Sequence, residues 1–138
     1  MLQRVLVPID GTEYSWRALE YACGLVAFSG GELVIMTVTE EGRKQPVIEV
    51  DGDCLYAQIG DEVLDAARAL MLGKNINCMY LLENSSDVAE SILRTVEDEK
   101  CDAVVIGSRG LGFLESIFRN SVSQVVLEKI AVPVTIVK

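Results

Sequence analysis

No histidine occurs among the 138 residues. Histidine is the usual general base near neutral pH and the usual imidazole ligand of transition metals. Its absence excludes Ser-His-Asp and Cys-His hydrolases and leaves any chemistry to carboxylates, lysines or a bound cation. The four cysteines, Cys23, Cys54, Cys78 and Cys101, form no Cys-x-x-Cys pair, so the spacing of a zinc site is missing as well. Three of them sit in apolar runs and read as small core residues in a reducing cytosol. Basic residues are scarce, twelve Lys and Arg against twenty-one Asp and Glu, for a net charge of −9. A broad nucleic-acid footprint needs clustered Lys and Arg, and an anionic membrane surface makes the same demand. The acidity reads as solubility. No apolar stretch approaches the ~20 residues that cross a bilayer. The chain opens straight into the strand-like Arg4-Val5-Leu6-Val7, without the pattern of a secretory leader. A cytoplasmic protein is expected, with neither nucleic acid nor membrane as partner.

What is present is aliphatic. Half of the residues are hydrophobic but only 6% are aromatic, so Val, Ile and Leu carry the burial, as in a parallel sheet covered on both faces. The length suits one domain spanning 1–138. Strand-like runs cover Gln3 to Ile9, Glu32 to Val38, Asn77 to Leu82, Ala103 to Gly107 and Pro133 to Val137. Thr12 is placed to cap a helix reaching about Phe28, with Trp16, Leu19, Cys23 and Val26 inward and Gly30-Gly31 as its end. A second helix runs from Leu55 to Leu72 through Ile59, Val63, Ala66 and Leu70, stopped by Gly73. Ser85 or Ser86 caps a third that carries Val88, Ile92 and Val96. A fourth follows Ser121, with Val122, Val125 and Val126 inward. Alternation of this kind predicts an α/β fold with a parallel sheet, helices on both faces and right-handed crossovers. The segment Glu40 to Asp53 reads as a long loop, of the functional or mobile kind, in which Val47 to Val50 has the makings of a local pairing.

In such folds ligands bind outside the carboxyl ends of the strands, where the strand order reverses. Three strand-end features qualify. Asp10, in Val7-Pro8-Ile9-Asp10-Gly11-Thr12, is either a turn residue or a carboxylate that accepts from a ribose or a base edge. Gly107-Ser108-Arg109-Gly110 follows a buried run, and glycines there let backbone amides approach an anion, although ordinary turns need glycine too. Arg119-Asn120-Ser121-Val122-Ser123 opens the fourth helix, where free amides and two hydroxyls form either a simple cap or a phosphate site. The combination favours phosphate. It is not a P-loop, lacking Gly-Lys-Ser/Thr, nor a dinucleotide fingerprint, because the glycines follow the fourth strand and not the first.

Val7 to Gly11, the long loop after the second strand, Asp102 to Gly110 and the closing Val132 to Val137 together resemble the universal stress protein family, over essentially the whole chain. The resemblance implies a three-layer α/β/α, flavodoxin-like fold with a five-stranded parallel sheet in the order 3-2-1-4-5. It implies a homodimer through the last strand, 132–137. One branch of that family binds ATP through Gly-x-x-Gly, nine residues, then Gly-Ser/Thr. Gly107 and Gly110 match the first two glycines, Asn120 stands where the third belongs, and Ser121 and Ser123 match the hydroxyl positions. Asp10 matches the acidic residue near ribose and adenine, and Val38 the backbone position that reads adenine. The implied nucleotide site is therefore Pro8, Asp10, Val38, Gly107, Arg109, Gly110, Asn120, Ser121, Val122 and Ser123, holding ATP with Mg²⁺ or Mn²⁺. With no evident nucleophile or base, a sensor or a very slow hydrolase is expected. Two other readings compete. In one, Asn120 closes the site and the chain is a non-binding dimeric interaction module. In the other, the chain is an adenylating enzyme, for which Asp10-Gly11-Thr12 lacks the expected serine and glycine.

Overall fold

The computed structural model describes residues 2–39, 49–50, 53–54, 58–107 and 128–138. In chain order the elements are β1 (Arg4–Pro8), α1 (Glu13–Ser29), β2 (Glu32–Thr39), β3 (Glu49–Val50), β4 (Asp53–Cys54), α2 (Gln58–Met71), β5 (Cys78–Asn84), α3 (Val88–Asp98), β6 (Ala103–Gly107) and β7 (Val134–Val137). Five strands form one sheet in the order β5-β2-β1-β6-β7, and every pairing in it is parallel. Counted along the chain within that sheet, this is the expected 3-2-1-4-5. The short β3 and β4 pair antiparallel as a separate ribbon, so the local pairing anticipated at Val47 to Val50 forms at Glu49–Val50. The rest of the 40–53 segment, and the start of the fourth helix after Ser121, lie outside the described residues.

Two apolar layers explain the burial. Val5, Val7, Leu33, Ile35 and Val105 point to one face, where Leu19, Cys23 and Val26 of α1 and Leu64, Ala67 and Met71 of α2 cover them. Leu6, Val34, Met36, Val104 and Ile106 point to the other, under Ala89, Ile92 and Val96 of α3. Adjacent residues of one strand are thus buried on opposite sides, which is why these strands read as unbroken apolar runs.

The helix ends show how local chemistry positions the layers. Thr12 caps α1 as expected, its side chain accepting from the Ser15 amide, and Gly30 closes it in the left-handed conformation (φ 69). For α3 the cap is Asp87 and not Ser85 or Ser86. The Asp87 carboxylate accepts from the Glu90 amide at 3.1 Å, while the Ser85 hydroxyl is occupied two residues earlier, accepting from the Asp87 amide. The inward line of α2 is also displaced by one residue. Leu64, Ala67 and Met71 are buried, Val63 is half-buried, and Ala66 and Leu70 are exposed. The helix carries two adjacent apolar lines, and hydropathy alone does not rank one above the other. The expectation for Ile59 lies outside the described side chains.

At the amino ends of the strands, Asp102 clasps β1. Its carboxylate accepts from the Gln3 amide at 2.7 Å and the Arg4 amide at 3.2 Å, and its own amide donates to the Arg4 carbonyl at 2.8 Å. The Arg4 guanidinium pairs with Glu32 and donates to the Glu99 carbonyl. These bonds fix the end of the sheet opposite to the candidate site.

Ser91 of α3 is fully buried and its Oγ has no hydrogen-bond partner among the described residues. An unpaired buried hydroxyl costs free energy that an alanine would not. Ser91→Ala is therefore expected to raise stability by about 1 kcal/mol in urea unfolding, and a loss of stability would show that the hydroxyl is paired after all.

Burial pushes the Cys101 thiol up to about 11, against the opposing pull of the Arg4 guanidinium, and burial likewise pushes Tyr80 up to about 12. An unfolded thiol ionises near its ordinary value of 9.0. Between these values the unfolded chain binds fewer protons than the folded one, so stability falls as pH rises. The contribution of Cys101 is fully present below pH 9 and is lost through pH 11, on the order of 2–3 kcal/mol in all. Urea midpoints taken from pH 8 to pH 11 should decline, and Cys101→Ala should flatten the decline; an equal slope in the variant would contradict the assignment.

Candidate functional site

The strand order reverses at β1, which pairs with β2 on one side and β6 on the other. The carboxyl ends of β1 and β6 therefore open the crevice that such sheets use for ligands. Both chain segments there lie at the start of α1.

From β1, Pro8 is buried in register with Met36, and the Ile9 amide donates to the Met36 carbonyl at 2.8 Å. The next residue, Asp10, is half-buried. Its Oδ1 accepts from the Thr12 amide at 3.0 Å and from the Thr12 hydroxyl at 2.6 Å. Gly11 between them has φ 85, a conformation in which any side chain but glycine is strained. Thr12 in turn caps α1, and the Ser15 hydroxyl donates back to the Thr12 carbonyl at 2.8 Å. A turn residue and a carboxylate at the mouth of the crevice are thus the same residue: Asp10 does the first job, and doing it places the second.

From β6, Gly107 ends the strand in register with Val137. A Cβ built on it would lie 2.7 Å from the Tyr14 carbonyl oxygen, 2.8 Å from the Tyr14 carbonyl carbon and 3.1 Å from the Ser15 amide nitrogen. The glycine is required by the approach of β6 to α1. The space a side chain would fill is occupied by helix backbone, a packing demand distinct from the close approach to an anion expected at this position.

Val38, the penultimate residue of β2, is half-buried against the α3-side core and in register with Glu83. Beyond it the end of β2 is tied to β5 by Thr39, whose carbonyl accepts from the Ser85 amide at 2.9 Å and whose hydroxyl donates to the Glu83 carbonyl at 3.3 Å. The fold thus brings Pro8, Asp10, Val38 and Gly107 to the carboxyl edge of three neighbouring strands. Arg109, Gly110, Asn120, Ser121, Val122 and Ser123 lie outside the described residues. Sequence reasoning missed the part of Tyr14 and Ser15, whose backbone receives Gly107. It read Thr12 as a cap alone. The Asp-Gly-Thr spacing carries a signal for the Thr12–Asp10 bonds, because Asp side chains habitually bond the backbone two residues on; no local signal carries the contact of Gly107.

No group of three or more His, Cys, Asp or Glu side chains placed to hold a metal ion occurs among the described residues, and no described helix is long and apolar enough to cross a membrane.

The model of the universal stress protein family matches residues 1–138. A universal stress protein of Thermus aquaticus is 28% identical over 144 residues, covering all of both chains. Among solved structures, a universal stress protein from Archaeoglobus fulgidus in complex with dAMP superposes with a TM-score of 0.71 at 18% identity, covering 100% of this chain and 98% of that one. A universal stress protein in complex with cAMP superposes with a TM-score of 0.63 at 23% identity, covering 99% and 97%. At these identities the structural likeness establishes the fold.

Proposed function

Since this chain belongs to the universal stress protein family, we propose that it is a stress-response protein that binds an adenine nucleotide, ATP, at the carboxyl edge of the sheet. The observation that carries the proposal is that Asp10, bonded to the Thr12 cap of α1, and Gly107, packed on Tyr14 and Ser15 of the same helix, both stand at the reversal of strand order. That two relatives of the same fold were solved with dAMP and cAMP supports an adenine nucleotide. Asp10 accepts from the ribose, the backbone at Val38 reads the adenine edge, and Pro8 walls the base side. Gly107, Arg109 and Gly110 form one half of the phosphate site. Asn120, Ser121, Val122 and Ser123 form the other, where amides and hydroxyls suit an anion. Mg²⁺ or Mn²⁺ would be held by the phosphates, neutralising their charge. With no histidine in the chain, the role is that of a sensor or regulator, with at most very slow hydrolysis.

Isothermal titration of the purified protein with ATP and Mg²⁺ tests this directly. Saturable heat at micromolar to millimolar ATP is expected, and none at high micromolar protein would sink the reading. One sequence feature favours a second reading. Asn120 stands where the ATP-binding pattern has glycine, and a side chain there would close the phosphate site and leave a non-binding interaction module. Asn120→Gly separates the two: a large gain of ATP affinity would show that the native site is closed.

The same reading pairs two copies through the last strand, 132–137. β7 is the edge of the sheet, with Val134 38% and Ile136 46% exposed, and an apolar edge of this kind invites strand pairing. Light scattering should find twice the 15.1 kDa of the monomer; a single-chain mass would refute it.

A further inference from the structure

Three sulfurs gather where β5 begins, at the end of the sheet opposite to the candidate nucleotide edge. The Cys23 thiol of α1 donates to the Sδ of Met71, the last residue of α2, at 3.6 Å. Cys78 opens β5 in register with Leu33 of β2 and packs on the same core cluster as Cys23 and Met71. It is near enough that a charge on its sulfur acts on that of Cys23. The Cys78 thiol donates to the Ile76 carbonyl at 3.6 Å. The Tyr80 hydroxyl, next on the same face of β5, hydrogen-bonds the Cys78 sulfur. The Arg68 guanidinium lies over the Tyr80 ring, 4.7 Å from its centre, and steadies it. Both cysteines are free thiols. Cys23 and Met71 are buried, whereas Cys78 is half-buried on an edge strand, which leaves a way in from solvent.

We infer that Cys23, Met71 and Cys78 form a binding site for a soft, closed-shell monovalent cation of the Cu(I) class, held by two thiolates and one thioether. Two sulfurs bound to one metal at about 2.3 Å stand about 3.8–4.0 Å apart for tetrahedral to trigonal angles. The 3.6 Å between Cys23 and Met71 is close to that spacing, so a small rotation of either side chain admits the ion. Thiolate and thioether ligands select soft ions, and with no histidine in the chain a borderline ion lacks the imidazole it favours. Binding is an exchange: each Sγ–H bond gives way to an Sγ–metal bond, the two protons leave to solvent, and no oxidant or reductant takes part. Two thiolates and one monovalent ion leave a single negative charge, which Lys74 beside Cys23 offsets. The Tyr80 hydroxyl, donating to the Cys78 sulfur, is the kind of outer partner that orients a ligand. The site is separate from the nucleotide edge and does not depend on it.

The test is anaerobic titration of the full chain with Cu(I) against bathocuproine disulfonate as competing chelator, for the wild type, Met71→Leu, Cys23→Ala, Cys78→Ala and the double variant Cys54→Ala/Cys101→Ala. The wild type is expected to take one Cu(I) per chain from the chelator. Met71→Leu conserves volume and keeps the core, yet loses a ligand, and should weaken binding by about tenfold or more. Cys23→Ala and Cys78→Ala should each weaken it beyond the roughly 10–100-fold that loss of an outer partner costs. The double variant removes the other two cysteines and should leave the affinity unchanged. X-ray absorption at the copper edge should find sulfur neighbours alone. If the three residues are core and nothing more, Cu(I) stays on the chelator, or Met71→Leu binds it as well as the wild type does. Either result overturns the inference, as would loss of binding in the double variant or nitrogen or oxygen neighbours at the metal. Circular dichroism of each variant guards against misfolding, and should Cys23→Ala fail to fold, Met71→Leu and Cys78→Ala still decide the outcome.

Discussion

Gly107→Ala is expected to lower the melting temperature by about 10 °C or more, for a loss of about 3 kcal/mol. The added methyl would lie 2.7 Å from the Tyr14 carbonyl oxygen and 2.8 Å from its carbon, well inside van der Waals contact. Both atoms are backbone in the first turn of α1, so no rotamer change relieves the clash. α1 cannot simply back away, because Leu19, Cys23 and Val26 anchor it in the same core as Val105 of β6. Gly24→Ala is the control. Gly24 lies within α1, exposed to solvent, with nothing inside 4 Å of an added Cβ, and alanine there should stabilise by about 0.5–1 kcal/mol. Thermal unfolding of the two variants by circular dichroism gives opposite signs if the argument holds. A neutral Gly107→Ala would mean that β6 and α1 are not in contact as described. The variant also bears on function, because a shift of α1 to accommodate the methyl displaces Asp10 and Thr12 with it.

Ile92→Ala is expected to cost about 3–4 kcal/mol, near the upper middle of the range for large-to-small core changes. Ile92 is 1% exposed and lies among Leu6, Val34, Met36, Val104 and Ile106 from three adjacent strands. Those side chains belong to parallel strands pinned by ladder hydrogen bonds on both sides, so the vacated volume has little chance to collapse, and the residual cavity adds to the lost transfer free energy. Ile92→Val removes one methylene and should cost about 1 kcal/mol. Urea midpoints at constant slope measure both. If Ile92→Ala costs no more than Ile92→Val, then α3 is not the cover of this face.

Much of the fold was legible because the strands are buried on both faces. The runs Val104-Val105-Ile106 and Leu33 to Met36 are apolar at every position since neighbouring residues feed opposite cores, and such runs between helical patterns have few alternatives to a parallel sheet. Helix ends were legible where one residue does the capping, as at Thr12 and Gly30. They were less so at α3, where Ser85, Ser86 and Asp87 all have capping side chains and only the path of the turn selects Asp87. The inward line of α2 was misplaced by one residue for a comparable reason. Val63, Ala66 and Leu70 form as good an apolar line as Leu64, Ala67 and Met71, and the strands beneath make the choice.

The candidate site divides in the same way. The sequence alone determined that Asp10 sits at the end of a buried strand beside a helix start, since strand pattern, Asp-Gly and a capping threonine are all local. It determined the glycine at 107 and the absence of histidine, which bounds the chemistry whatever the fold. Only in the packed chain does Gly107 meet the helix backbone that leaves no room for a side chain there. The residues that demand it, Tyr14 and Ser15, are more than ninety positions away in the chain, and no local pattern encodes the approach of a strand end to a helix so distant. The same holds for the placing of Asp10 and Gly107 at one edge of the sheet: strand order brings β1 beside β6, and strand order is fixed by how two helical layers cover one sheet, a property of the packed chain as a whole.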